Sequence, residues 1–76
     1  MVYAFVLIKT GAGASTGVIE SLEEISGIVE AHIVAGEYDI IAEIEVDEVH
    51  DVLEVVSSGV QTLEGVLDTK TYIALE

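Results

Sequence analysis

Gly36-Glu37-Tyr38-Asp39 is a run of ligand-competent groups: a carboxylate, a phenol and backbone amides at a glycine-bearing turn. Such a set can hold a small polar ligand. Asp39 offers a carboxylate to an ammonium, and the amides from Gly36 to Tyr38 offer donors to a carboxylate. The plainer alternative is that Gly36 makes a turn and Asp39 is solvated. Other chemistry-bearing residues do not assemble by spacing. His32 and His50 fit no local zinc-ligand motif, so no metal is expected; His32 is read as a sheet or interface residue and His50 as a surface residue. His50-Asp51 with Ser57 or Ser58 has the residue types of a hydrolytic triad. Nearness in sequence does not make nucleophile, base and orienting carboxylate converge, so no catalytic residue is expected. Thr10-Gly11-Ala12-Gly13-Ala14-Ser15-Thr16 precedes a helical pattern, but Thr16 stands where a dinucleotide fingerprint needs its third glycine and no P-loop lysine follows; it reads as a simple loop.

The elements that must position the turn follow from periodicity. His32 to Asp47 reads as two antiparallel strands joined near Gly36. From Tyr38 the residues Tyr38, Ile40, Ala42, Ile44 and Val46 point one way and Asp39, Ile41, Glu43, Glu45 and Asp47 the other. A slip by one residue would bury carboxylates, so register is strongly specified. Val2 to Ile8 is apolar on both faces and reads as a central strand. A helix follows, with Ser15 or Thr16 as N-cap, Val18, Leu22 and Ile25 on one face, and Gly27 closing it. Ile28 to Ala35 is the second strand. Asp47 is the expected N-cap of a second helix in which Val49, Val52, Leu53 and Val56 line one side, ending at Ser57-Ser58-Gly59. Val60 to Leu63 reads as an irregular turn, and Val66 to Leu75 as the last strand. The order βαββαβ defines an α+β domain of ferredoxin-like type, a four-stranded antiparallel sheet with two helices on one face. The opposite face would carry Phe5 or Val6, Ile41 and alternate residues of the last strand. That is too apolar for water, so it is expected to pack against a second copy.

Composition narrows the function. Fifteen acidic residues against Lys9 and Lys70 give a net charge of −13. Two lysines cannot form a phosphate-binding stripe, so direct nucleic-acid binding is not expected, and anionic membranes are disfavoured for the same reason. The acidic residues read as a solvated coat, with complementarity to a basic partner such as a DNA-binding protein as the functional alternative. So large a charge is best tolerated where salt screens it, which points to a halophilic adaptation. A 76-residue chain forms one small domain whose core supplies only about 3–5 kcal/mol, and with no cysteine to form disulfides, oligomerisation is the expected support. No apolar run is long enough to span a membrane, and the apolar start lacks a basic segment and a cleavage site; the expected location is cytoplasmic.

The Gly36-Glu37-Tyr38-Asp39 turn, preceded by Val29-Glu30-Ala31-His32 and followed by Gly65-Val66-Leu67-Asp68-Thr69-Lys70-Thr71-Tyr72, resembles the C-terminal effector-binding domain of the Lrp/AsnC transcription regulators, the RAM module. The likeness covers residues 1–76, without a helix-turn-helix, and so points to the stand-alone RAM class. It implies a dimeric α+β barrel formed by sheet packing, further assembly into ring-like oligomers, and a small amino-acid-like effector bound between dimers. The site residues it implies are Gly36, Tyr38 and Asp39 in the turn and Thr69 and Thr71 in the last strand, with no cofactor. It also implies a non-enzymatic sensor that modulates DNA-binding Lrp/AsnC relatives. A structural subunit without effector and a small dimeric α+β barrel enzyme are the alternatives.

Overall fold

The computed structural model describes all 76 residues. Alternation along Val2–Thr10 (β1) places Ala4, Val6, Ile8 and Thr10 inward and Tyr3, Phe5, Leu7 and Lys9 on the other side. After β1 come Ser15–Leu22 (α1), Ile28–Ile33 (β2), Ile40–Val46 (β3), Val49–Glu54 (α2) and Val66–Ile73 (β4). Between α2 and β4 the helix continues as a π turn, Val55–Gly59, and a 3₁₀ turn, Val60–Thr62. The strands pair antiparallel in the order β2-β3-β1-β4, which puts the two most apolar strands in the centre.

Register follows from the buried face. Ile8 pairs with Ile40, Val6 with Ala42 and Ala4 with Ile44, and all six are fully buried. Val18 and Leu22 of α1, and Val52, Val56 and Val60 behind α2, close the same core. Each large side chain so buried contributes roughly 1.5–3 kcal/mol relative to exposure. The helices cover one face only, as expected for βαββαβ order.

Boundaries differ from the sequence reading in several places. Neither Ser15 nor Thr16 caps α1: Ala14 takes that position, and the Ser15 hydroxyl bonds Thr10 Oγ1 at 2.8 Å. The helix ends at Leu22 rather than at Gly27, which serves the later turn into β2 at φ +102°. Glu48, not Asp47, caps α2, in a reciprocal capping box with Asp51. Val49 and Leu53 are 54% and 65% exposed, because the buried row is Val52, Val56 and Val60, four apart, carried on by the π turn. Strands β2 and β3 stop short of the turn, leaving residues 34–39 irregular, and β4 ends at Ile73.

Candidate functional site

The turn between β2 and β3 is fastened to the end of the sheet by its own backbone. Val34 donates to the Asp39 carbonyl and Asp39 donates to the Ile8 carbonyl, each at 2.9 Å. The half-buried Asp39 side chain takes part as well: its Oδ2 accepts the Thr10 amide at 2.9 Å. From β1, Lys9 Nζ donates to the Glu37 carbonyl at 2.9 Å and lies 5.7 Å from the centroid of the Tyr38 ring. The turn is thus pinned at three points. It forms one wall of a depression of about 430 Å³ on the helix-free face of the sheet, floored by Leu7 and Ile41 and bounded by Tyr38, Lys70 and Tyr72.

Gly36 lines this depression without a backbone demand of its own. Its φ is not positive, and a Cβ there would meet nothing closer than the Tyr38 carbonyl oxygen at 4.0 Å. What glycine provides at this position is room in the concavity, not a left-handed turn.

Thr69 and Thr71 lie elsewhere. They pair with Ile8 and Val6, so they share the helix side of the sheet, and they line a groove of about 450 Å³ between β4 and the α2 segment with Leu53, Val56, Ser57 and Gln61. Gln61 Nε2 donates to Thr69 Oγ1 at 3.0 Å. Within one protomer, therefore, Gly36 and Tyr38 line the depression, Asp39 belongs to the same turn but directs its carboxylate to the Thr10 amide and does not line it, and the two threonines sit across the sheet. This groove was not foreseen from sequence. The signal available for it was the Val52, Val56, Val60 spacing, which turns Leu53 outward.

The bare sheet face extends beyond the depression. Tyr3, Phe5 and Tyr72 are 42%, 38% and 54% exposed there, beside Leu7 and Ile41. Of the two sequence candidates for this face, Phe5 is outward and Val6 buried. Glu43 and Glu45 stand across from Phe5 and Tyr3, and Glu30 across from Glu43. The Glu45 carboxylate, chiefly by its charge, raises the Tyr3 pKa above its ordinary 10.0, with burial and Glu43 adding in the same direction.

His32 is on β2 across from Ile41 and bonds Glu30 Oε1 at 2.8 Å. His50 is exposed on α2, where it, Asp51 and Glu54 bring ligand atoms within 4.8 Å of one another. Asp51 Oδ2 in that group already accepts the Glu48 amide at 3.2 Å as part of the helix cap. Ser57 gives its hydroxyl to the Leu53 carbonyl at 2.7 Å, a bond along the helix and not toward a base. No helix is long and apolar enough to cross a membrane.

A ferredoxin-like α+β domain with one sheet face covered by helices and the other bare and apolar is the class these features define. The chain belongs to the Lrp/AsnC ligand binding domain family, whose model matches residues 3–76. It is 32% identical over 74 residues to an uncharacterized HTH-type transcriptional regulator of Pyrococcus furiosus, covering 93% of this chain and 49% of that one. The chain thus spans about half the length of that curated relative. The crystal structure of a Thermus thermophilus protein superposes with a TM-score of 0.96 at 33% identity, over 100% of this chain and 95% of its own. A Neisseria meningitidis transcriptional regulator solved as an L-Met complex shares the fold, with a TM-score of 0.88 at 16% identity, over 99% of this chain and 50% of its own.

Proposed function

We propose that the protein is a cytoplasmic, ligand-sensing regulatory module that pairs with a second copy through its bare sheet face. It binds a small amino-acid-like effector at a subunit interface and modulates DNA-binding Lrp/AsnC regulators. The observation that carries this reading is the separation of the two half-sites. A ligand that touches both the Gly36–Asp39 turn and the Thr69, Thr71 pair cannot do so within one protomer, because the sheet lies between them. A site shared between subunits has no such obstacle.

The chemistry of the halves agrees. Asp39 keeps Oδ1 free for an ammonium while Oδ2 holds the turn. The threonine hydroxyls supply donors for a carboxylate, and Leu7, Ile41 and Leu53 supply apolar surface for a side chain. Effector action is then linkage: a ligand that prefers one assembly shifts the population toward it. The family matched here is one of transcription-regulator domains, and a chain carrying two cations and fifteen carboxylates would reach DNA through a partner.

Two measurements test the reading. Sedimentation of wild type and of Phe5→Glu in high salt should give an oligomer and a smaller species, respectively; equal sizes would remove the sheet face from the interface. Calorimetry of the assembled protein against a panel of free amino acids should give saturable heat with at least one member. Absence of heat across the panel would leave a structural subunit without effector.

A further inference from the structure

The chain has two cationic side chains besides fifteen carboxylates, and both are on the helix-free face of the sheet. Outward residues of β1 run Tyr3, Phe5, Leu7, Lys9; Lys70 of β4 stands beside Leu7. Neither lysine has a carboxylate oxygen within 4.0 Å, since the ion pairs of the molecule are those of His32 with Glu30 and His50 with Asp51. Asp68 faces Lys9 across the strands but accepts the Thr69 amide at 2.9 Å, and Glu37 meets Lys9 through its carbonyl. At the other end and side of the same face stand Glu30, Glu43 and Glu45. The face is therefore apolar in the middle and uneven in charge: both lysines lie toward the start of β4, with Asp68 and Glu37 beside Lys9, and carboxylates alone lie toward the end of β3.

This unevenness matters for self-association. Two chains of charge −13 repel, and contact anywhere on the coat sets carboxylate against carboxylate. The bare sheet face can oppose unlike charges, provided the second copy is turned so that its lysine end covers the first copy's glutamate end. A two-fold axis lying in the interface, across the line joining the two patches, does this for both ends at once, as an isologous contact requires. We propose that Lys9 and Lys70 take Glu43 and Glu45 of a second copy as their ion-pair partners and so fix the orientation of face-to-face pairing. The inference rests on the sheet-face pairing of the preceding subsection and adds the rotational setting and the residues that impose it. Charges at an interface rim act chiefly by selecting the docking arrangement, with apolar contact holding it.

Charge reversal at constant ionic strength decides the matter. Glu43→Lys with Glu45→Lys moves the net charge toward neutrality, so a repulsion-only account expects tighter dimers. Ion pairing across the interface expects the opposite, a dimer dissociation constant raised about tenfold or more. Lys9→Glu with Lys70→Glu should weaken the dimer likewise, and Lys70→Glu alone serves if the loss of the Lys9–Glu37 contact disturbs the turn. Mixing the two double variants restores unlike charges at both ends, so native mass spectrometry should show the heterodimer in excess over either homodimer. Tighter or unchanged association of the Glu→Lys variant, or a statistical mixture of dimers, overturns the orientation while leaving sheet-face pairing in place. A wild type that stays monomeric, with Phe5 and Tyr72 open to solvent, overturns both.

Discussion

The Asp39 carboxylate holds the Thr10 amide at 2.9 Å across 29 residues of sequence, closing the β2–β3 turn onto the end of β1. In the proposed function the same side chain also serves an effector ammonium, which would give one residue a structural and a ligand-binding role. Asp39→Ala should therefore cost stability, about 1.5–3 kcal/mol for a partly buried hydrogen bond to a charged group, read as a lower urea midpoint. Asp39→Asn keeps an acceptor for Thr10 and should stay closer to wild type in stability, yet lose effector affinity. Equal loss of stability in the two variants would mean that the charge, and not the acceptor geometry, fastens the turn.

Glycines separate by role in the same way. Gly27 and Gly65 have φ of +102° and +99°. A Cβ at Gly27 would lie 2.9 Å from Val55 Cγ2, and at Gly65 3.0 Å from the Ala14 Cβ. Gly27→Ala and Gly65→Ala should each destabilise by about 1–3 kcal/mol through strain and crowding. Gly36→Ala meets open space at an ordinary φ, so its unfolding midpoint should match wild type while ligand heat falls. A destabilised Gly36→Ala would show that the turn needs glycine for its backbone after all.

Tyr3 reports on the carboxylates of the bare face. The charge of the Glu45 carboxylate beside it favours the neutral phenol, so its titration midpoint lies above the ordinary 10.0. A folded pKa raised in this way contributes stability that is complete below the unfolded value and is lost as pH rises through the folded one. Ultraviolet titration in a Tyr38→Phe, Tyr72→Phe background should show the raised midpoint, and Glu45→Gln should bring it down. No movement on that substitution would place the hydroxyl away from Glu45.

Much of this architecture was legible as periodicity. Ile40, Ala42 and Ile44 alternate with Ile41, Glu43 and Glu45, and only one register buries the first set; the central placement of β1 followed from its apolar content on both faces. Helix ends were less legible because capping is settled locally. Ser15 is an ordinary cap residue by type, yet Thr10 engages its hydroxyl, and Glu48 with Asp51 closes a box that Asp47 alone does not. The π turn at Val55–Gly59 follows α2 and carries no residue signature of its own; the signal for Leu53 was the four-residue spacing of Val52, Val56 and Val60, which marks the inward row and leaves Leu53 outside it. That Tyr38 and Asp39 share one turn was readable from their adjacency; that Asp39 turns to the Thr10 amide while Tyr38 lines the depression was not, because it depends on how the turn docks on β1. The separation of Thr69 and Thr71 from them depends on which side of β4 faces the helices, a parity fixed only once β4 pairs with β1.

Salt should strengthen assembly even though lysine–glutamate pairs orient it. At about 0.1 M ionic strength the Debye length is roughly 10 Å, so much of the coat of one −13 chain acts on the other; at about 1 M it is near 3 Å, and that repulsion is largely gone. Pairs closed inside an interface are screened less than exposed charges, because solvent ions do not enter between them. Raising sodium chloride over this range should therefore lower the dimer dissociation constant in sedimentation equilibrium. Salt also promotes apolar contact, so slope alone does not isolate the charge effect. Glu20, Glu24 and Glu54 are exposed and lie off the sheet. Changing the three to Gln removes repulsion without touching the face, and should tighten the dimer at low salt and flatten its salt dependence. An unchanged slope in that variant would assign the salt effect to apolar burial, and a wild-type slope of opposite sign would mean that attraction across the interface outweighs the repulsion of the coat.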